Sequence, residues 1–93
     1  MIIEAATVKL YANWVHSLKE KRMVVKSILS KVQNKFNVSI AEVDKQDIHQ
    51  TAMIGIVCVA ATVALANSTI DKVISFIEKN AEGEIIDIQR EMR

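Results

Sequence analysis

Hydrophobic and polar positions alternate along residues 2–11, IIEAATVKLY, with Ala6, Val8 and Leu10 on one side and Thr7, Lys9 and Tyr11 on the other. A repeat of two is the mark of a half-buried strand. After a loop, ANWVH, the period lengthens. Leu18, Val25, Ile28, Leu29, Val32 and Phe36 recur at helical spacing, so a helix is expected from Ser17 to about Phe36. Ser17 and Glu20 form an S-x-x-E capping box at its start: the serine oxygen takes one free N–H and the glutamate reaches back to another. NKFN ends this helix, and NVSIAEV, residues 37–43, suits a strand. DKQDIH is a turn-rich connection leading to the second arm of a hairpin over residues 50–59.

The stretch AMIGIVCVAATVALA, residues 52–66, has no charge and resembles a membrane span at first sight. It is shorter than the roughly 20 residues a spanning helix needs. Its first part is largely β-branched and its later part favours helix, so it reads as a buried strand running into a helix capped by Thr62. Val63, Ala66, Ile70, Val73, Ile74 and Ile77 form that helix's apolar stripe, with Leu65 and Phe76 off it. The off-stripe pair implies deeper packing of the helix. NAEGE turns the chain and IIDIQ forms the last strand.

The resulting order, β-α-β-β-α-β, defines a ferredoxin-like α+β sandwich. A four-stranded, mainly antiparallel sheet in the order 4-1-3-2 is expected, with both helices on one face and strands one and three parallel at the centre. Strand three is apolar on both faces: Met53, Val57 and Val59 point one way and Ile54, Ile56 and Cys58 the other. The helices cover one face only, so the other either tolerates exposure or meets a second chain, and a homodimer is expected.

Composition narrows the function. The 93 residues suit a single domain spanning 1–93, and a formal net charge of +1 supplies no global field toward DNA or a membrane. The single cysteine, Cys58, permits neither an internal disulfide nor a thiolate metal cluster, and its apolar neighbours make it a buried small hydrophobe. MIIEAATVKL lacks the pattern of a secretory signal, which points to the cytoplasm. No nucleophile elbow, P-loop or dinucleotide fingerprint is present, no cofactor is implied, and an enzyme is not expected. Strand three has no aromatic for base stacking and there is no GXXG clamp.

Two clusters carry candidate chemistry. In HSLKEKR and its continuation, Lys19, Arg22 and Lys26 fall on one side of the first helix. With His16 and Ser17 at the positive end of the helix dipole, they form a candidate anion or RNA-binding set. The competing reading is a solvated face, partly neutralised by Glu20, whose capping box uses the N–H groups a phosphate would need. Asp44, Asp47 and His49 place three donors in six residues, but their spacing matches no closed metal motif and turns recruit Asp for backbone bonding, so no metal is expected. Trp14, just before the basic helix, is either a loop anchor against the sheet edge or a stacking surface, with the anchor favoured.

HSLKEKR, NKFNVSIAEVD and the Gln46-Asp47 pair together resemble the YlxP-like family, small bacterial proteins of unknown function, over nearly the whole chain. The chain departs from the family pattern at Ala12-Asn13-Trp14-Val15, where a Pro-Gly-like turn is usual, and at Ala61-Thr62, where Asn-Asp is common. The resemblance implies a ferredoxin-like fold and no established activity. Family members tend to be encoded beside translation genes, which implies RNA or the ribosome as partner. A dimeric protein-interaction or small-ligand regulatory module is the alternative.

Overall fold

The computed structural model describes residues 1–45, 48 and 50–93. Its elements are β1 (Ile2–Tyr11), α1 (Leu18–Lys35), β2 (Ser39–Asp44), β3 (Thr51–Ala60), α2 (Val63–Asn80) and β4 (Glu84–Met92), the order expected from the periodicities. Both helix starts fall at the expected residues. Ser17 and Thr62 have extended backbones, and their side-chain oxygens accept from Glu20 N and Leu65 N.

The strands form one sheet in the order β2-β3-β1-β4. Every neighbouring pair is antiparallel, including β1 and β3 at the centre, which corrects the expected parallel pair. The reason is topological. A helical crossover brings β2 back in the direction of β1, and the β2–β3 hairpin then reverses the chain, so β3 must oppose β1.

The core lies between the helices and one sheet face. Ala6, Val8 and Leu10 of β1 and Ala52, Ile54, Ile56 and Cys58 of β3 meet Val25, Ile28 and Val32 of α1 and Ala66, Ile70, Val73, Ile74 and Ile77 of α2. Val63 belongs to the expected stripe but is 48% exposed, because it occupies the first position after the cap, where the helix has not yet reached the sheet. Leu65 is also exposed, so α2 is not buried more deeply at its start; Phe76 is half-buried and meets Phe36 edge-on, with centroids 5.5 Å apart. The uncovered sheet face does carry the apolar side chains expected of strand three. Met53 is half-buried there, and Val57 and Val59 are exposed, Val59 to 64%.

Among the described residues, two charged side chains lie inside this core layer. Lys21 of α1 is 3% exposed and its ammonium is 2.7 Å from Glu42 Oε2 on β2, while also donating to the Lys45 carbonyl. That carbonyl is presented by a left-handed backbone at Lys45, φ 61°. Glu4 of β1 is 1% exposed. The Arg90 guanidinium of β4 holds its Oε2 at 2.6 and 2.7 Å and reaches on to Asp71 of α2 at 2.5 Å. The Lys21–Glu42 pair ties the edge strand β2 to α1, and Arg90 ties the edge strand β4 to β1 and, through Asp71, to α2. Each edge strand is also irregular: its register shifts where Val43 in β2 and Ile86 in β4 are passed over by the pairing.

Candidate nucleic-acid interface on the first helix

The loop entering α1 is fixed from both sides. Val15 is fully buried, Ala12 N donates to Gln50 O at 2.9 Å, and Gln50 Nε2 donates to Asn13 O at 3.0 Å. The Trp14 indole N–H donates to Glu82 O at 3.0 Å, joining this loop to the turn before β4. Trp14 is thus an anchor through its hydrogen bond, while its ring stays 44% exposed.

At the helix start, Glu20 N donates to Ser17 Oγ at 3.1 Å and His16 N donates to Glu20 Oε1 at 3.3 Å, which completes the capping box. These are donors that an anion at the helix end would need. Ser17 is therefore committed to the cap, and His16 is held by its backbone with its side chain exposed.

Lys19, Arg22 and Lys26 follow along one flank, all exposed. At 1.5 Å of rise per residue the stripe extends about 10 Å. Among the described residues none of the three takes part in an ion pair. The neighbouring Lys21, one position away from Arg22, turns inward and is paired instead. Helical geometry separates the two roles: the inward position meets β2, whereas 19, 22 and 26 share a direction that faces solvent.

Among the described residues no group of three or more His, Cys, Asp and Glu is assembled for a metal. Asp44 is exposed and bonds its side chain to Lys45 N at 2.8 Å, as a turn aspartate does. Asp47 and His49, and with them Gln46, lie outside the described residues. Cys58 is buried in the core, where loss of solvent pushes its thiol pKa above the usual value. No described helix is long and apolar enough to cross a membrane.

Sequence reasoning did not identify Arg90 or Glu4. The signal for Glu4 was present, since it is in phase with the inward-facing Ala6, Val8 and Leu10.

Fold and surface together define a small ferredoxin-like α+β protein with charges paired inside and an exposed basic flank outside. Residues 3–90 match the model of the family described as "Protein of unknown function (DUF503)", and the chain belongs to that family. It is also similar to "Uncharacterized protein YlxP" of Bacillus subtilis (strain 168), 46% identical over 68 residues that cover 73% of this chain and 74% of the relative.

Proposed function

We propose that this chain is a cytoplasmic, non-enzymatic binding protein that docks on RNA, free or within the ribosome, through the α1 flank. The observation that carries this reading is selective pairing. Lys21 and Arg90 are neutralised by buried or half-buried carboxylates, while Lys19, Arg22 and Lys26 stand exposed along one line and take part in no ion pair among the described residues. Cations spaced along a rigid helix suit the phosphates of a nucleic-acid backbone, with the exposed His16 ring at one end. The test is RNA binding by fluorescence anisotropy at several salt concentrations, for the parent and for K19Q/R22Q/K26Q, using a hairpin RNA and purified small ribosomal subunits. Loss of the three contacts flattens the salt slope by up to about 0.9 each on a duplex or about 0.7 on a single strand. A parent that binds neither probe, or a triple variant that binds as well as the parent, overturns the proposal.

The uncovered sheet face favours a second reading, homodimerisation through that face. Val57 and Val59 are exposed along β3 with Met53 half-buried, and a shallow depression of about 280 Å³ is lined by Val43, Gly55 and Val57 together with Ala5, Thr7 and Ala41. Light scattering at micromolar concentration tests it: the parent is expected at twice the mass of one chain and Val59→Glu at the mass of one. A parent that scatters as a single chain refutes it.

A further inference from the structure

We propose that the groove between the end of α1 and the outer flank of α2 binds a nucleotide, stacking its base against the Phe36–Phe76 pair and holding its phosphate with Lys35, Lys72 and Lys79. The groove has a volume of about 560 Å³, within the range of small-molecule sites. It is distinct from the α1 flank of Lys19, Arg22 and Lys26 and does not depend on that flank binding RNA.

Its floor is unusual for this chain. Aromatics are 4% of the sequence, and both phenylalanines meet here, brought together from positions 36 and 76. Their rings lie at 77° to each other and are half-buried, so part of the aromatic surface remains open to the groove. The Lys35 ammonium stands 5.2 Å from the Phe76 centroid and 6.0 Å from that of Phe36. The ammonium covers part of these ring faces, and its flexible stem lets it swing aside to meet an anion attached to a ring that stacks there.

Lys72 and Lys79 line the same groove from α2. Lys35 and Lys79 are each in the last turn of a helix, where a cation is favoured by the dipole alone. Lys72 is in the middle of α2 and has no such reason to be there. The one carboxylate among the described lining residues, Asp71, is already engaged by Arg90 at 2.5 Å, so it does little to offset the lysines. The Asn80 amide donates to Phe76 O at 2.9 Å and so braces the helix end beside the ring.

These features select among ligands. A purely apolar occupant would strip water from the ammonium groups without repayment. A bare anion would leave the aromatic floor unused. An amphipathic peptide helix needs anchors repeated over several turns, whereas the apolar surface here is confined to two rings. A flat ring joined to a phosphate uses both parts of the groove, and stacking on aromatics tolerates any base.

The test is an amide-resolved NMR titration of the full chain with AMP and with UMP. Adenosine and ribose 5-phosphate serve as the separated halves, and an oligo(A) strand as the polymeric source. The expected result is saturable shifts at Lys35, Phe36, Ser75 and Phe76. A nucleoside monophosphate should bind about tenfold or more tightly than either half. K35Q/K72Q/K79Q should weaken binding by about tenfold or more, as expected when charge-assisted contacts are lost. K19Q/R22Q/K26Q should leave the AMP and UMP shifts at these amides unchanged, whatever it does to binding of the strand, so failure here and failure of the α1 reading are told apart. Shifts of the same amides by oligo(A) where AMP and UMP are silent assign the nucleotide to a strand and uphold the site. Silence from all three at millimolar concentration overturns it. So does equal binding of AMP and polyglutamate, which would reduce the groove to a patch of charge, or an unchanged affinity in the lysine variant.

Discussion

Replacing Arg90 with Met removes the cation that neutralises Glu4 while keeping an apolar stem of similar reach. Glu4 is 1% exposed, its Oε2 is held at 2.6–2.7 Å by the guanidinium, and its buried Oε1 accepts no hydrogen bond among the described residues. The substitution therefore leaves a carboxylate buried with neither counter-ion nor donor. Removing one partner of a buried pair costs about 3–5 kcal/mol. The lower end applies, about 3 kcal/mol, because the Arg90 side chain is itself one-third open and water can enter behind it. For a domain of this size that is a fall in Tm of roughly 12–24 °C. Asp71 contributes little, since its side chain is 64% exposed and a surface pair adds at most about 1 kcal/mol. Urea unfolding followed by far-UV circular dichroism gives the number, provided the slope with denaturant is unchanged. Glu4→Gln placed in the Arg90→Met background removes the stranded charge and is expected to recover about 1–2 kcal/mol. A loss below about 1 kcal/mol for Arg90→Met, or a double variant no more stable than the single one, would refute this account of the network.

Ser17→Ala should cost about 1 kcal/mol in urea unfolding and leave RNA affinity unchanged, because the serine oxygen is bound to Glu20 N and not to a ligand. Gly83→Ala should also destabilise, by about 1 kcal/mol, because its Cβ would lie 3.1 Å from the Tyr11 backbone carbonyl, which cannot swing away. Cys58 makes stability depend on alkaline pH. Burial raises its folded pKa above the usual 9.0, so the unfolded chain loses the proton first. Its contribution is intact below about pH 9 and declines as the pH rises beyond that, so the urea midpoint of the parent should fall more steeply above about pH 9 than that of Cys58→Ala. Parallel slopes would refute it.

What could be read in the sequence was what short-range periodicity encodes. Ser17 and Glu20 mark a helix start because a capping box needs that spacing, and Thr62 does the same for α2. The alternation of β1 and the helical stripes located the core. Long-range relations were less legible. Lys21 is on α1, but its partner Glu42 is on another element, and no local spacing joins them. Arg90 lies beyond the apolar IIDIQ segment, in a part of β4 whose inward phase shows only once it is paired with β1. The direction of the central strand pair was misjudged because it follows from topology and not from any residue. The basic flank was legible as a helical wheel, whereas the Phe36–Phe76 groove left only the trace of an aromatic off its stripe.

The two buried ion pairs have a further consequence, for aggregation. An open sheet offers two rows of unpaired backbone groups on which another molecule's strand could build. Here both edge strands, β2 and β4, carry a charged residue turned inward, Glu42 and Arg90, and both are kinked by an extra residue. Inward charges and bulges on outer strands are devices that discourage edge-to-edge growth. The sheet is thereby steered to stop at four strands. The same residues that lock the layers together protect the edges, so weakening either pair should be felt as insolubility as well as lost stability.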